Sequence, residues 1–339
     1  MRLLIFKVNQ LGDNVVFLPV VQQITRLHPS WQITVCTSPV AAPLYHTACP
    51  GVRVLEFATK PFNSSWKRPL DLARLLWRFC RLPHDACLLG NDQGNVAHLL
   101  ARACGASRTV GALIPERYLG WLLHQRVVVD FTLPDAWQNW QIARALVPEL
   151  PARVPPPDLS AFGRREHGGI FIHAGASRDY KKWPLDSYVA LATRLSASTQ
   201  VIWMDQGLPA EEALPATVQR VKPGTLGDLI REMAGARLFI GNNSGPMNLA
   251  SALGVPGLIF NGPSTAAWDP YWHRERFDLL RDADLPCQPC DLPMRPVNAC
   301  QNQAEPMACM KRWSVERVHE RVMQKLAESG PAPVPPQGT

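Results

Sequence analysis

The sequence lacks long hydrophobic runs, and it also lacks a recognisable nucleic-acid-binding motif. No apolar run approaches the roughly 20 residues that a membrane-spanning helix requires. The basic and then apolar start at residues 1–8 is too short for a signal peptide and carries no cleavage site. We therefore expect a cytoplasmic protein without a nucleic-acid partner, in which the nine cysteines need not form disulfides.

Charged residues are scarce at 19% of the 339 residues, whereas apolar residues reach 46%. This balance predicts a globular protein with an ample core, and the length predicts two domains rather than one. The net charge of +7 favours acidic partners. Phosphorylated small molecules and a lipid surface are the partners that we favour; the alternative is that the charge only keeps the protein soluble.

Predicted strands alternate with predicted helices from residue 2 to residue 113, and the alternation restarts at residue 169. Such alternation indicates α/β domains with doubly wound parallel sheets. A cluster of prolines between the two parts predicts a stiff interdomain linker. Two such domains joined by this linker predict two facing sheets with a cleft between them. Ligands should bind in the cleft, beyond the carboxyl ends of the strands. The predicted segments are a domain at 1–150, a linker at 151–167, a domain at 168–313 with a cysteine-rich loop at 287–309, a helix at 314–329 and a disordered tail at 330–339.

The stretch 241–256 predicts a phosphate site. The apolar run before it indicates a strand, Asn243 and Ser244 are suited to cap a helix, and Pro246 suits the first helical position. We expect Gly254 to end this helix. Free N–H groups and the positive end of the dipole at such a helix start attract anions. The alternative is an ordinary turn between strand and helix.

Polar residues also follow two predicted strands of the first domain. Asp13 comes after Gly12, which we expect to turn the backbone tightly, and it could cap the next helix or act as a general base. Position alone favours the cap. Asp92 and Gln93 follow the strand predicted at 85–89, where they could bind an acceptor or cap a helix.

Two lysines follow a loop of small residues in the second domain. The loop at 173–177 would let a ligand approach the backbone, and Lys181 and Lys182 beside it would supply positive charge for a diphosphate. The alternative is a solvated basic turn before a helix that begins at Pro184.

Four cysteines late in the second domain have a spacing that could suit a metal. Cys287, Cys290, Cys300 and Cys309 could bind a structural zinc ion tetrahedrally. Because they include one close pair where the usual finger pattern has two, four reduced cysteines in a loop are the alternative.

The helix predicted at 70–82 is apolar and carries Arg74, Arg78 and Arg81 on one face. With Trp66 nearby, it could lie on an anionic bilayer. Packing on the sheet with a basic outer face is the interpretation that we favour.

Four motifs in one order resemble glycosyltransferase family 9, the lipopolysaccharide heptosyltransferases. They lie at 12–19, at 92–95 with 100–106 and 110–111, at 175–177 with 181–184, and at 241–250. The resemblance covers nearly the whole chain. It implies two facing Rossmann-like domains, the GT-B fold, with an acceptor-side domain followed by a nucleotide-sugar-binding domain.

The resemblance also implies an activity. Members of the family transfer a sugar with inversion and without a metal or other cofactor, typically heptose from ADP-heptose to the lipopolysaccharide inner core. The partners would be a nucleotide-sugar donor and a lipid-linked glycan acceptor. The protein would be cytoplasmic and peripheral at the inner membrane.

The resemblance assigns roles to residues as well. Asp13 matches the family's proposed base, and Lys181, with Lys182 as the second choice, matches the lysine that neutralises the departing diphosphate. Donor contacts are implied at Ser177, Lys182, Asn243, Ser244, Gly245, Pro246, Met247 and Asn248, and acceptor contacts at Gly12, Asp92 and Gln93.

Two positions depart from the family pattern. Asn243 stands where members usually have aspartate, and Asn248 stands where they often have histidine. Because each change removes a charged or chargeable group, we expect an altered donor or acceptor preference. The alternatives are a member that uses another nucleotide sugar or surface-glycan acceptor, a nucleotide-sugar-binding protein with little catalysis, and nucleotide-sugar epimerisation on the same fold.

Overall fold

The computed structural model describes residues 1–114, 118–207, 209–282, 284–293, 295 and 297–328. The chain divides into two compact units, Met1–Ala161 and Phe162–Thr339. Within the described residues, each unit contains a six-stranded parallel sheet, which confirms the predicted α/β class. The predicted tail at 330–339 lies outside the described residues.

The first unit has its strands in the order β3-β2-β1-β4-β5-β6, and every pair is parallel. The order reverses between β1 and β4, and the carboxyl ends of strands at such a switch point are where doubly wound sheets bind ligands. The strands are β1 Arg2–Lys7, β2 Gln32–Thr37, β3 Arg53–Glu56, β4 Ala86–Leu89, β5 Arg108–Ala112 and β6 Gln125–Val127. The helices are α1 Leu11–Leu27, α2 Ala42–Ala48, α3 Thr59–Ser64, α4 Pro69–Cys80, α5 Asn95–Ala103 and α6 Asp135–Leu146.

The second unit repeats this topology with the order β12-β11-β10-β7-β8-β9, so its switch point lies between β7 and β10. The strands are β7 Ile170–His173, β8 Val201–Met204, β9 Val218–Val221, β10 Leu238–Asn242, β11 Gly257–Phe260 and β12 Phe277–Leu280. The helices are α7 Leu185–Leu195, α8 Leu226–Ala234, α9 Gly245–Leu253, α10 Ala308–Lys311 and α11 Val315–Glu328.

The strands at both switch points form the centres of the two cores. Residues 3–6 of β1 and residues 170–172 of β7 are wholly buried. Continuous apolar runs of this kind are typical of parallel strands that are covered on both faces. The apolar runs that predicted these strands therefore place the strand ends, and the polar residues that follow them, at the middle of each sheet.

Several predicted element boundaries were wrong by one to three residues. Helix α1 begins at Leu11, so Asp13 lies inside the helix that it was predicted to precede, and β10 continues to Asn242, inside the stretch predicted to follow the strand. Pro246 is the second residue of α9, not the first. Gly254 does end α9, in the left-handed conformation (φ 70°) that glycine tolerates best. Among the described residues, no helix has both the length and the apolar character that a membrane crossing requires.

Candidate functional site

Asp13 lies in the first turn of α1, just beyond the end of β1. It is the third helical residue, and its Oδ2 accepts a hydrogen bond from the N–H of the N-cap residue Gln10 at 3.1 Å. This is half of a capping box, so Asp13 caps α1 from its third residue and not, as predicted, from the N-cap position before the helix. The predicted tight turn at Gly12 was wrong, because Gly12 is the second residue of α1 and is not among the glycines with positive φ.

A buried lysine at the end of β1 organises the polar residues of the first unit. The Lys7 ammonium is 2.8 Å from Oδ1 of Asp92 and donates to Oδ1 of Asn91 at 3.2 Å. Gly90 makes room for this side chain, since a Cβ at residue 90 would lie 2.8 Å from Cδ of Lys7. Burial lowers the pKa of Lys7, but the carboxylates of Asp92, Asp13 and Asp135 together raise it by more than burial lowers it. The net shift of the pKa is therefore upward.

Two of the three predicted acceptor-side residues, Asp92 and Gln93, belong to this network. Asp92 accepts from both Lys7 and the Asn9 amide, the latter at 2.6 Å. Gln93 is buried; its Oε1 accepts from the Val8 N–H at 3.3 Å and its amide nitrogen donates to Oδ1 of Asn9. Burial raises the pKa of Asp92, but its contact with Lys7 outweighs this and the net direction is downward. Asp92 is therefore a fixed anion, and Gln93 holds the segments after β1 and β4 together.

Asp135 is a third carboxylate that acts on Lys7, and it is not among the residues predicted from the sequence. It begins α6, and its Oδ1 accepts from the Asn91 amide at 3.1 Å. Burial raises its pKa to about 7, with Asp13 and Asp92 adding to the shift and Lys7 opposing it. The sequence carries no signal for this contact, because Asp135 lies more than 40 residues from its partner.

In the second unit, the start of α9 presents backbone N–H groups. Ser244 is the N-cap residue, but its hydroxyl donates to the Asn242 carbonyl at 3.1 Å and does not cap the helix. The N–H groups of Met247 and Asn248 donate to the Ser244 carbonyl at 3.1 and 3.4 Å. Gly245 is the first helical residue, and no carbonyl of the helix can accept from its N–H. This N–H and the helix dipole suit a phosphate oxygen.

The other predicted donor residues of α9 differ in what they can offer. The Met247 side chain is wholly buried, so only its backbone could approach a ligand. Pro246 and Asn248 are half-buried. Pro246 has no N–H to donate, whereas Asn248 carries an amide side chain one turn into the helix.

Asn243 is used inside the fold. Its amide nitrogen donates to Oδ1 of Asn261 at 2.8 Å and to the Trp268 carbonyl at 2.9 Å. Asn261 in turn donates to Asp269, which is paired with Arg281 at 2.7 Å. Because a carbonyl only accepts, residue 243 must place a donor here, and aspartate would not supply one.

Lys181 is paired with a carboxylate, Asp291, which is also not among the residues predicted from the sequence. Its ammonium is 2.5 Å from Oδ2 of Asp291, and it lies 4.7 Å from the centre of the Trp268 ring. The Tyr180 hydroxyl donates to the same Asp291 oxygen at 3.0 Å. The side chains of Lys181 and Asp291 are only 14% and 4% exposed.

Lys182 and Ser177 are more accessible. Lys182 pairs with Asp179 at 2.8 Å, but the Asp179 side chain is 95% exposed, so this pair is weak. Ser177 is exposed in the loop after β7. His173 at the end of β7 adds no positive charge, because burial lowers its pKa to about 4.

Asn242 joins the two halves of this region. Its amide nitrogen donates to the carbonyls of Ala174 and Gly175 at 2.8 and 3.2 Å. Its oxygen accepts from the Trp183 N–H at 3.0 Å and the Tyr188 hydroxyl at 3.1 Å. One buried side chain therefore fixes the loop after β7 and the lysine segment against the end of β10.

The four late cysteines line one small cavity, together with Tyr180 and Gln288. Burial and the neighbouring thiols raise the pKa of Cys290, and raise that of Cys309 to about 12. In the part of the chain that the structure describes, no group of three or more His, Cys, Asp or Glu residues is arranged to hold a metal ion. As arranged, the thiols do not fit a zinc ion, and the zinc site stays a prediction.

The chain is similar to known proteins along most of its length. Residues 77–292, more than half of the chain, match the family model of glycosyltransferase family 9 (heptosyltransferase). Lipooligosaccharide heptosyltransferase 2 of Campylobacter jejuni subsp. jejuni serotype O:2 is 26% identical over 170 residues, which is 47% of this chain and 51% of that protein. The chain therefore spans about half the length of this relative.

A second relative aligns over a longer stretch. Lipopolysaccharide heptosyltransferase 1 of Pseudomonas aeruginosa is 26% identical over 317 residues, covering 86% of each chain. The solved structure of E. coli heptosyltransferase WaaC with ADP is 15% identical, with a TM-score of 0.71 over 96% of this chain and all of that one. At that identity the structural likeness shows the fold alone.

Proposed function

The chain belongs to glycosyltransferase family 9, and on that premise we propose that it transfers heptose from ADP-heptose to the lipopolysaccharide inner core with inversion. Two observations carry the proposal, one in each unit, and each concerns residues just beyond the end of a strand. The first unit has Asp13 beside the charges of Lys7 and Asp92, and the second has the half-buried start of α9 with its backbone N–H groups. The names of the aligned relatives, both heptosyltransferases, support the choice of sugar.

Asp13 would act as the general base. A sugar hydroxyl is a weak nucleophile, and a carboxylate can take its proton as the new glycosidic bond forms. Attack on the anomeric carbon from the side opposite the departing diphosphate inverts its configuration. The bond from the Gln10 N–H fixes the orientation of the Asp13 carboxylate at the end of β1.

Lys7 and Asp92 would act as positioning residues for this base. The Lys7 side chain is buried and that of Asp92 is 37% exposed, and the charges of both Asp13 and Asp135 also act on Lys7. The pair has little freedom to move, because separating it would leave the buried Lys7 ammonium without this counter-charge. The acceptor would bind beside Asp92 and Gln93.

The second unit would bind the donor. Its diphosphate would take hydrogen bonds from the start of α9 and charge from Lys181 and Lys182. These groups would neutralise the negative charge that develops on the leaving ADP. We therefore propose that transfer requires no divalent metal and no other cofactor. Ser177 and the loop after β7 would contact the same ligand.

The proposed acceptor is a lipid-linked glycan at the cytoplasmic face of the inner membrane. The relatives' names refer to lipopolysaccharide and lipooligosaccharide, which are lipid-anchored glycans. The basic net charge of the chain is compatible with such an anionic surface.

A second candidate function is favoured by Asn243 and Asn248. Because both positions are neutral, the chain could use another nucleotide sugar or another surface glycan, or bind a nucleotide sugar with little catalysis. The internal hydrogen bonds of Asn243 give one physical reason for the first departure.

Calorimetric titration of ADP, UDP, GDP and CDP without added metal tests the proposal. Preferential binding of ADP is the expected result. Preferential binding of another nucleotide would indicate a donor other than ADP-heptose. Failure to bind any of the four nucleotides would overturn the proposed function.

A further inference from the structure

Helix α4 has an apolar outer side that the fold leaves uncovered. Trp66, in the short turn before the helix, is 59% exposed, and Leu70 and Trp77 on the helix are 73% and 61% exposed. Leu70 and Trp77 are seven residues apart, so they lie on one face. We name Trp66, Leu70, Trp77 and the basic residues around them, Lys67, Arg68, Arg74 and Arg81, the α4 outer face.

Trp66, Leu70 and Trp77 do not pack in the core of the first unit. Phe79 of α4 is wholly buried, and Leu75 and Leu76 pack against the same core. Phe79 and Leu75 lie about half a helical turn away from Leu70 and Trp77, and Leu76 lies about a third of a turn away. The helix is therefore apolar on two opposite sides, of which only one packs on the sheet.

The α4 outer face is also strongly basic. Residues 59–82 carry six lysines and arginines and one acidic residue, so much of the chain's net charge of +7 is concentrated there. The one acid, Asp71, already lies between Arg68 and Arg74, at 3.5 and 3.4 Å. The Lys67 ammonium lies 5.3 Å from the Trp66 ring centre, and the Arg81 guanidinium lies 3.7 Å from that of Trp77.

We propose that the α4 outer face binds the surface of an anionic lipid bilayer. Tryptophan favours the boundary between headgroups and acyl chains, and lysine and arginine beside it reach the lipid phosphates. A second copy of the chain suits this face less, because two such basic surfaces would repel each other. The inference rests on the proposed function in one respect: a lipid-linked acceptor would be presented at such a bilayer.

Vesicle flotation of the full chain tests the inference. The wild-type protein should float with vesicles of equal parts phosphatidylglycerol and phosphatidylcholine, and not with phosphatidylcholine alone. The double variant Leu70→Ser, Trp77→Ser should bind the anionic vesicles at least about tenfold more weakly, because it loses two apolar contacts. Arg74→Gln should weaken binding about fivefold, as expected for one basic residue near an anionic surface.

Met323→Ser and Arg164→Gln are the matched controls, since each changes an exposed side chain of the second unit. Both should float like the wild type. Equal vesicle binding by the double variant would overturn the inference, as would concentration-dependent dimerisation that is lost in the same variant. Titration with ADP separates the two proposals. A wild-type protein that binds ADP but not anionic vesicles contradicts only the proposed lipid-binding surface. A wild-type protein that binds anionic vesicles but not ADP contradicts only the proposed function.

Discussion

The ammonium of Lys181 lies 2.5 Å from a carboxylate oxygen of Asp291, and both side chains are largely buried. The lysine that the sequence analysis selected to neutralise a diphosphate is therefore already paired. Its neighbour Lys182 is paired only with an exposed aspartate. The two lysines should consequently respond differently to substitution.

Lys182→Ala should leave the melting temperature within about 2 °C of the wild type, because exposed ion pairs contribute little. It should weaken ADP binding about tenfold if the ammonium contacts the diphosphate. Lys181→Ala should lower stability by about 2–4 kcal/mol, since it leaves Asp291 buried without its cation. Thermal unfolding and calorimetry measure both effects; equal melting temperatures for the two variants would contradict this distinction.

Asn243→Asp should destabilise the second unit, although it restores the residue that the family usually has. The new carboxylate would face the Trp268 carbonyl, which cannot donate to it. We expect a loss of about 1–3 kcal/mol at pH 7, measured by denaturant unfolding. Asn248→His, which lies outside this network, is the control and should cost less. An Asn243→Asp protein as stable as the wild type would show that these contacts do not account for the asparagine.

Asp135 should make stability depend on pH. Its pKa in the folded protein is about 7, above the ordinary value of 3.8, so folding favours the protonated form. The contribution of this protonation to the free energy of unfolding is complete below about pH 4, and it is lost as the pH rises through about 7. The difference corresponds to at most about 4 kcal/mol, and partial exposure should reduce it to about 1–2 kcal/mol.

Asp135→Asn keeps an oxygen for the Asn91 amide and cannot ionise. It should be more stable than the wild type at about pH 8, and this advantage should disappear at about pH 4. Urea unfolding at the two pH values measures the difference. An advantage of the same size at both would show that the carboxyl group of Asp135 does not titrate near neutral pH.

The zinc prediction for the four cysteines has a direct test. If zinc binds, elemental analysis of protein purified without chelators should give about one zinc per chain. Cys300→Ser should then lose the metal and lower the melting temperature. Because the described thiols do not adopt a metal-binding arrangement, zinc binding would require their sulfur atoms to converge. Purified protein that contains no stoichiometric metal would contradict the prediction of a structural zinc site.

The sequence predicted those features that local patterns determine. Apolar runs predicted the parallel strands, and Gly254 correctly marked the end of α9. The helix starts were less accurate, because capping depends on side-chain geometry: Ser244 occupies an N-cap position and yet bonds backward to Asn242.

The partners of the candidate site residues could not be predicted in the same way. Asp291 contacts Lys181 from more than 100 residues away, and the charge of Asp135 acts on Lys7 from more than 120 residues away. Such contacts depend on tertiary packing, for which the local sequence carries no periodic signal. Gly90 is one residue whose role is explained only by the structure, since it makes room for the buried lysine.

The central claim is that Asp13 acts as the base in glycosyl transfer. Its most direct test is the rate of heptose transfer from ADP-heptose to a lipopolysaccharide inner-core acceptor, by wild-type protein and Asp13→Asn. Asparagine keeps an oxygen for the Gln10 N–H, so folding and ADP binding should persist. We predict that kcat falls at least about 100-fold with ADP binding unchanged. Transfer by Asp13→Asn at the wild-type rate would contradict the account.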